Sequence, residues 1–411
     1  MCNVGELLER SLQSGQLAVL RAASEASVGL DISLYLVGGT VRDLLLDRVS
    51  MDLDISVQDS TPDPSEQLAG LLGGEVVSRS EFGTAKLVVG DVELDLVAAR
   101  RETYTSPGAL PTVSTGNIAE DLARRDFSIN AMAISLHPNE WGHLLDPHGG
   151  RADLEARVLR VLHDGSFTDD ATRILRAVRY MARLGLGLEP TTAGLLRRDL
   201  HHMDGISGDR VRNELVRLLE EEAAPQALEL ASDLGVLAAV HPALVVGPGV
   251  QDRLAAATGT SDIGVLVLLA TITYGVEETS VPGLVRRLNM DSEWAQVVRD
   301  VASVKSVIGT LASPEIRPSR IHAALRRRHP AAIEGSAIGT DETTARANMD
   351  RYLADLRHVA PLLNGGDIMA LGLPEGPLVG EVLEALLNAK LDGEISTRGD
   401  EERLVRDSLG L

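Results

Sequence analysis

Apolar and polar residues alternate along this chain with two different periods. Over residues 1–30 the apolar positions recur at helical spacing, which predicts one or two helices. Beyond residue 224 the helical spacing returns and is broken only by short Gly- and Pro-containing segments. The helical positions near the N-terminus are Leu7, Leu8, Leu12, Leu17 and Leu20.

Between these regions, short apolar runs bounded by Gly, Pro and Asp predict β-strands. The predicted strands are 34–37, the segment that carries Asp52 and Asp54, 75–79, 84–89 and 92–98. Helices are expected from near Thr40 and around 65–72. The pattern indicates an α+β fold, in which an N-terminal head with a mixed five-stranded sheet precedes an all-α remainder.

Length and composition narrow the class of protein. At 411 residues and 44% apolar, the chain is expected to form two to four domains or subdomains. It has no apolar run of the length that spans a membrane and no export signal. The single cysteine, Cys2, excludes an internal disulfide framework. We therefore expect a soluble, cytoplasmic protein.

The negative net charge limits how this chain could bind an anionic partner. Net charge is −21, from 39 basic and 60 acidic residues. Phosphate backbones are bound by local cationic contacts, so basic residues would have to be segregated onto one face. Nearly all of them are Arg, with Lys only at Lys86, Lys305 and Lys390. With 2% aromatic residues, a nucleic-acid surface built on base stacking is not expected.

Candidate chemistry begins at residues 34–57. Asp52 and Asp54 are two apart on a predicted strand and therefore share a face, where a divalent cation such as Mg²⁺ would relieve their repulsion. The Gly38-Gly39 turn before a helix offers backbone N–H groups to a phosphate. The stretch predicts that metal and phosphate bind together.

A further group of residues fits the same chemistry. Downstream, the run 118–133 has two guanidinium groups and an amide near a short turn, which suit triphosphate oxygens and a ribose hydroxyl. Its polar members are Asp121, Arg124, Arg125, Asp126 and Asn130.

These motifs resemble the class II CCA-adding enzyme and bacterial poly(A) polymerase family, a branch of the nucleotidyltransferase superfamily. The resemblance rests on G-G-x-V-R-D, D-x-D, R-R-D-F-S-x-N-A and a D-P-x-x-G-x-x-D-L turn at 146–154. The chain departs from the family's pattern at Ser128 for Thr, at Asp169 for Glu in D-D-x-x-R, and at Asp209 for Glu.

The resemblance implies a set of site residues. Asp52 and Asp54 would be catalytic and would hold Mg²⁺. The family's pattern has a third catalytic carboxylate on a neighbouring strand, which Asp95 matches in position, and Glu93, on the same face of the strand 92–98, is the alternative. The nucleotide would contact glycine, arginine and acidic residues of the head and of the next helix. These residues are Gly38, Gly39, Arg42, Arg124, Arg125, Asp126, Asn130, Asp170, Arg173, Arg176 and Arg179.

Base choice would depend on a predicted helix over 168–185. Its start at Thr168 and its end at a glycine fit the capping rules, and Asp170 and Arg173 fall three apart on one face. Cytosine and adenine present an amino donor beside a ring acceptor, whereas uracil and guanine present the reverse. A carboxylate paired with a guanidinium would accept the first two bases and leave the others mispaired.

By resemblance the chain divides into a catalytic head (1–150), a neck with the base-binding helices (151–222), a helical body (223–330) and a helical, RNA-binding tail (331–411). The stretch 100–117 is predicted to be a loop, because it is rich in Gly, Pro, Ser and Thr and lacks periodicity. The RNA backbone is expected to contact arginines of the body, namely Arg286, Arg287, Arg326, Arg327 and Arg328.

The implied function is template-independent addition of C and/or A from CTP and ATP to the 3′ end of tRNA, by two-metal phosphoryl transfer. An enzyme that adds only the terminal A and a poly(A) polymerase stay open alternatives. A non-catalytic RNA-binding protein of the same fold is the alternative from another class. The expected partners are tRNA lacking part or all of its CCA end, CTP and ATP, with neither membrane nor protein partner implied.

Overall fold

The computed structural model describes residues 3–48, 53–59, 63–80, 83–258 and 263–409. They form two compact units, Met1–Ile206 and Ser207–Leu411. The first unit contains the sheet and the second is helical throughout its described part. The predicted α+β class is therefore confirmed, while the finer division into head, neck, body and tail stays a prediction. None of the described helices is both long and apolar enough to cross a membrane.

A mixed sheet organises the first unit. The described strands of this unit are β1 (Ser33–Val37), β2 (Leu53–Gln58), β3 (Glu75–Arg79), β4 (Thr84–Val89), β5 (Val92–Ala98), β6 (Arg100–Thr103), β7 (Thr112–Thr115), β8 (Ala133–Ser135), β9 (Leu144–Leu145), β10 (Val158–Leu159) and β11 (Gly187–Leu188). Seven of them form the sheet, in the order β3-β4-β5-β2-β1-β8-β9, and β2 pairs with β5 in parallel while the other pairings in the sheet are antiparallel.

The predicted number of five strands was wrong, since the sheet has seven among the described residues. The two additional strands, β8 and β9, are three and two residues long. All three residues of β8 are buried, so it lacks the polar–apolar alternation that marks a strand with one exposed face. Both strands extend the sheet from β1 and place residues 124–130 beside it.

Helices cover the sheet and continue the chain to residue 199. Leu20 of the second helix and Leu36 and Ile55 of the central strands are fully buried, which marks the core between these layers. The helices of this unit are α1 (Gly5–Ser11), α2 (Ser14–Leu30), α3 (Gly39–Leu45), α4 (Ser65–Leu71), α5 (Ile118–Ala123), α6 (Gly150–Glu155), α7 (Ser166–Asp169), α8 (Thr172–Leu184) and α9 (Pro190–Asp199).

The structure corrects two local predictions. The stretch 100–117, predicted to be a loop, contains the antiparallel hairpin of β6 and β7. Every residue of β7 is exposed, so the hairpin depends on backbone hydrogen bonds and has no hydrophobic alternation to reveal it. The helix predicted over 168–185 is interrupted, because Asp170 has the extended φ and ψ angles of −144° and 98° and separates α7 from α8.

The second unit is a helical array. Gly335 allows α19 (Pro330–Gly339) to approach α14 (Val265–Thr273) closely, because a Cβ on Gly335 would overlap the Cβ of Ala270. Its helices are α10 (Gly208–Leu219), α11 (Ala224–Asp233), α12 (Val236–Val240), α13 (Pro248–Thr258), α14 (Val265–Thr273), α15 (Val281–Arg287), α16 (Ser292–Lys305), α17 (Ile308–Leu311), α18 (Pro318–Leu325), α19 (Pro330–Gly339), α20 (Thr343–Ala354), α21 (Gly365–Ala370), α22 (Pro377–Leu391) and α23 (Arg398–Leu409).

Candidate active site

Two of the three predicted catalytic carboxylates lie side by side in the sheet. Asp54 of β2 is paired directly with Asp95 of the parallel neighbour β5, and both residues are half-buried. Side chains at paired positions of neighbouring strands project from the same face, so the two carboxylates stand together. Asp52, predicted as their partner, lies outside the described residues.

The register also separates the two candidates for the third carboxylate. Glu93 is exposed and accepts a hydrogen bond of 2.8 Å from the Lys86 ammonium group. Asp95, two residues further along β5, is the residue opposite Asp54. The geometry therefore favours Asp95 over Glu93 as the partner of Asp54.

Gly38 brings the backbone up to this carboxylate pair. Its φ and ψ angles are 70° and −132°, a conformation that residues with a Cβ rarely adopt. A Cβ on Gly38 would lie 2.6 Å from Arg125 Nη1 and 3.9 Å from Asp54 Oδ2. Glycine is thus required for the close approach of the backbone to Arg125 and to the Asp54 carboxylate.

A cleft of about 420 Å³ opens above this point in the first unit. Most of the predicted nucleotide-binding residues line it, together with Asp54. The lining residues are Gly38, Gly39, Arg42, Asp54, Glu102, Tyr104, Arg124, Arg125, Asp126, Asn130, Asp170, Arg173, Arg176 and Tyr180. Of the predicted nucleotide ligands, only Arg179 does not line the cleft.

Asp121 fixes the two consecutive arginines. The carboxylate is fully buried and accepts from Arg124 through Oδ1, at 2.7 Å, and from Arg125 through Oδ2, at 3.0 Å. Burial works to raise the pKa of Asp121, but Arg125 and Arg124 outweigh it and hold the pKa below its ordinary value. Arg124 also donates to Glu102, at 3.1 Å.

We expect Asp121→Asn to lower the free energy of unfolding of the first unit by about 3 kcal/mol at pH 7, because it leaves two arginines without their buried counter-ion. A carboxylate with a depressed folded-state pKa stabilises the fold above its unfolded pKa, near 4, and loses that contribution as pH falls through the folded pKa. The deficit of the variant should therefore shrink in acid.

The measurement can be confined to the first unit. The chain has two tryptophans, Trp141 and Trp294, so urea unfolding followed by fluorescence in a Trp294→Phe background reports on Trp141 alone. Asp31→Asn is the matched control, because it neutralises an exposed carboxylate. An equal deficit for both variants, or a deficit of Asp121→Asn that is as large at pH 3 as at pH 7, would contradict this account of Asp121.

A second hydrogen-bonded chain crosses the cleft. Buried Arg42 donates to Asn130 Oδ1 at 2.7 Å, Asn130 donates to Asp126 Oδ1 at 3.0 Å, and Arg176 donates to Asp126 Oδ2 at 2.5 Å. Burial works to raise the pKa of Asp126, but Arg176 and Asn130 outweigh it, hold the pKa below its ordinary value and keep the carboxylate ionised. Asn130, predicted as a ribose ligand, thus also links two arginines.

The predicted base-reading pair lies at the start of α8. Arg173 is buried and donates to Ser166 Oγ at 2.7 Å and to the carbonyl oxygen of Arg124 at 2.9 Å. Asp170 Oδ1 accepts from the backbone N–H and the hydroxyl of Thr172, at 2.9 and 2.6 Å. The interruption therefore places Asp170 two residues before α8, at the cleft wall, where its carboxylate accepts from the first residue of that helix.

The predicted RNA-binding arginines all belong to the second unit. Arg286 and Arg287 end α15, and Arg286 is exposed. Arg327 is exposed as well, whereas Arg326 pairs with Glu384 at 2.8 Å and Arg328 donates to Ser303 Oγ at 3.1 Å. Arg286 and Arg327 fit a surface role better than Arg328, whose guanidinium group connects the segment after α18 to α16.

Sequence reasoning missed three residues that line the cleft, namely Glu102, Tyr104 and Tyr180. Glu102 and Tyr104 belong to the stretch predicted to be a loop, and burial raises the pKa of Tyr104 to about 12, with Glu102 and Asp170 adding to the effect of burial. Tyr180 follows Arg176 by four residues on α8, and this spacing could have indicated that it shares the polar face.

Comparison with known proteins bears on this arrangement. Residues 34–160 match a family described as the poly A polymerase head domain, and residues 185–246 match one described as a probable RNA and SrmB-binding site of polymerase A. A CC-adding tRNA nucleotidyltransferase of Deinococcus radiodurans is 32% identical over 99% of this chain and 97% of its own length. The chain belongs to the class II tRNA nucleotidyltransferase family.

Other members of this nucleotidyltransferase family match at comparable levels. An A-adding tRNA nucleotidyltransferase of Geobacter sulfurreducens is 33% identical over 98% of this chain, which spans about half (48%) of that relative's length. The CCA-adding enzyme of Thermotoga maritima, solved in complex with tRNA, superposes with a TM-score of 0.83 at 27% identity and covers 99% of both chains.

Nucleotidyltransferases of this family generally use divalent metal ions. Within the described residues, no group of three or more His, Cys, Asp or Glu side chains is arranged to hold a metal. The paired carboxylates of Asp54 and Asp95 are hard oxygen donors, which is the ligand type that divalent cations such as Mg²⁺ prefer. The donors present therefore fit a divalent metal.

Proposed function

We propose that this protein is an enzyme that adds C and/or A from CTP and ATP to the 3′ end of tRNA without a nucleic-acid template. The observation that carries the proposal is the cleft itself. It brings Asp54 and Gly38, suited to metal and phosphate, to the same space as Asp170 and Arg173, suited to a base edge. A site that bound only metal and phosphate would need Asp54 and Gly38 but not Asp170 and Arg173.

At the reacting end of the cleft, Asp54 and Asp95 would hold Mg²⁺, and Asp52 is proposed as a further ligand. When bound, Mg²⁺ supplies Lewis-acid activation and charge neutralisation at the phosphate. Gly38 leaves room for phosphate oxygens next to the backbone, and Arg125 stands beside that space. These groups orient the α-phosphate for attack by the RNA 3′-hydroxyl, with pyrophosphate as the leaving group.

Arginines along the cleft would receive the rest of the triphosphate. Arg124 and Arg125 are held by Asp121, and Arg42 and Arg176 are linked through Asn130 and Asp126. Fixed guanidinium groups bind phosphate oxygens with little further ordering, so a prearranged set favours affinity. This arrangement serves ATP and CTP equally.

Selection of the base is assigned to Asp170 and Arg173. A carboxylate that accepts from an exocyclic amino group and a guanidinium that donates to a ring nitrogen match cytosine and adenine alike. Uracil and guanine would leave the same groups mispaired, which is the situation that gives strong discrimination. The bonds from Arg173 to Ser166 and to the Arg124 carbonyl hold its guanidinium group in place.

The proposed RNA partner is tRNA that lacks part or all of its CCA end, and the arginines of the second unit are proposed to contact its backbone. Relatives named A-adding, CC-adding and CCA-adding all resemble this chain over most of its length. The paired carboxylates of Asp54 and Asp95 favour an enzyme over a non-catalytic RNA-binding protein, because a protein that only binds RNA gains nothing from acids placed beside phosphates.

The test is an extension assay with purified protein and Mg²⁺. Three tRNAs are offered, ending before the first C, before the second C and before the terminal A, each with CTP, ATP or both, beside an unrelated RNA of equal length. We expect at least one tRNA to gain its missing nucleotides and then stop. No extension of any tRNA would overturn the proposal in favour of the binder, and unlimited A addition to the unrelated RNA would favour a poly(A) polymerase.

A further inference from the structure

Three arginines surround one aromatic ring at the wall of the cleft. The guanidinium carbons of Arg42, Arg176 and Arg179 lie 5.3, 5.6 and 5.2 Å from the centroid of the Tyr180 ring. Arg42 comes from α3 and the other two from α8, so the ring is the point at which two separate helices bring their cations together. Arg42, Arg176 and Tyr180 line the cleft.

The ring is held firmly in this place. Tyr180 is 8% exposed, and fully buried Phe127 meets it edge to face, with 5.8 Å between ring centroids and 82° between ring planes. That geometry is a favourable one for two aromatic rings. The Tyr180 hydroxyl lies 3.3 Å from Arg176 Nη2, which adds one hydrogen bond to the ring contacts.

Like charges this close repel one another, and burial weakens the screening by water. An aromatic face carries negative electrostatic potential and attracts a cation within about 6 Å of its centroid. The carboxylates of Asp43 and Asp126 bind the edges of Arg42 and Arg176, at 2.9 and 2.5 Å. The ring supplies what these carboxylates do not, an attraction shared by all three guanidinium groups.

We infer that Tyr180 is a positioning residue whose ring gathers Arg42, Arg176 and Arg179 and so prepares the cleft for the phosphates of an incoming nucleotide. The inference rests on the proposed function, because it assumes that the cleft binds a nucleoside triphosphate. It assigns the ring to the anionic part of the nucleotide and leaves base choice to Asp170 and Arg173.

The test compares nucleotide binding in variants with and without the ring, using calorimetric titration with ATP and with inorganic tripolyphosphate. We expect Tyr180→Leu to lower the affinity for both ligands by a similar factor, roughly tenfold. Tyr180→Phe keeps the ring and should stay within about twofold of the unaltered protein. Tyr180→Met repeats the loss of the ring with a more adaptable side chain, in case Tyr180→Leu does not fold.

A matched control separates this role from simple core packing. Tyr352 is buried to the same degree, at 6% exposure, in the second unit, so Tyr352→Leu removes a comparable ring from a core. It should lower stability but leave both affinities unchanged.

Three results would overturn the inference. They are unchanged binding by the folded ring-less variants, loss of affinity for ATP alone, and an equal loss in Tyr180→Phe. If the unaltered protein bound neither ATP nor, in a further titration, CTP, the proposed function would fail as well.

Discussion

Asp54→Asn is expected to reduce the rate of nucleotide addition by about 10³-fold or more, which is the largest effect that we predict for a single substitution. Asp54 is paired with Asp95 in the sheet and also lines the cleft. An amide keeps the size of the side chain and one oxygen but removes the negative charge that a divalent cation requires.

The experiment measures both the rate of extension and the affinity for a divalent metal, by titration with Mn²⁺ in the absence of nucleotide. Affinity for the metal should fall with the rate, while the fold is unchanged. Asp47→Asn is the control, because Asp47 is exposed and its left-handed backbone, with φ of 53°, is one that Asn also adopts. A variant at Asp54 that keeps rate and metal affinity would remove the carboxylate pair from the proposed mechanism.

Arg173→Ala is expected to relax base selection by about 10²-fold or more, so that UTP and GTP compete with CTP and ATP. The guanidinium group is the proposed donor to the ring nitrogen, and without it no fixed group distinguishes the two kinds of base edge. Affinity for the metal should not change, because Arg173 lies at the start of α8 and not beside the carboxylate pair. Arg173→Lys should not restore selection, since one ammonium group cannot reproduce the planar fork.

The readout is the ratio of kcat/KM values for the four nucleotides on one tRNA. Arg183→Ala controls for the loss of an arginine from the same helix, because Arg183 is exposed in its last turn. Unfolding of each variant should be followed as well, since Ser166 and the Arg124 carbonyl lose their donor when Arg173 is truncated. Unchanged selection against UTP and GTP in a folded Arg173→Ala protein would contradict the proposed base reader.

The sequence predicted the centre of the first unit almost residue by residue. The runs 75–79, 84–89 and 92–98 coincide with β3, β4 and β5, because glycine lies just before each of these strands and marks its start. Local rules suffice where alternation and turns coincide. They were insufficient for the register, and only the pairing of Asp54 with Asp95 separates Asp95 from Glu93.

Asp170, Glu102 and Tyr180 were predicted wrongly or missed for physical reasons that the sequence pattern does not show. Asp170 was predicted inside a helix, where its spacing to Arg173 fits. Its side chain instead accepts a hydrogen bond from the backbone N–H of Thr172, and its own backbone is extended. Glu102 was predicted in a loop, but it lies in a hairpin and accepts from Arg124, 22 residues away in the sequence. Tyr180 contacts Arg42 from a different helix. The cases of Glu102 and Tyr180 depend on contacts between segments distant in sequence.

The central claim is that the cleft adds C and/or A, and no other nucleotide, to tRNA ends. It is tested most directly by incubating a tRNA that lacks its CCA end, and one that lacks only the terminal A, with all four nucleoside triphosphates and Mg²⁺. The mass of each 3′ product is then measured. We predict that at least one of the two tRNAs is extended, by C and/or A residues alone, and not beyond a completed CCA end. Incorporation of U or G at comparable yield, or no product from either tRNA, would contradict the claim.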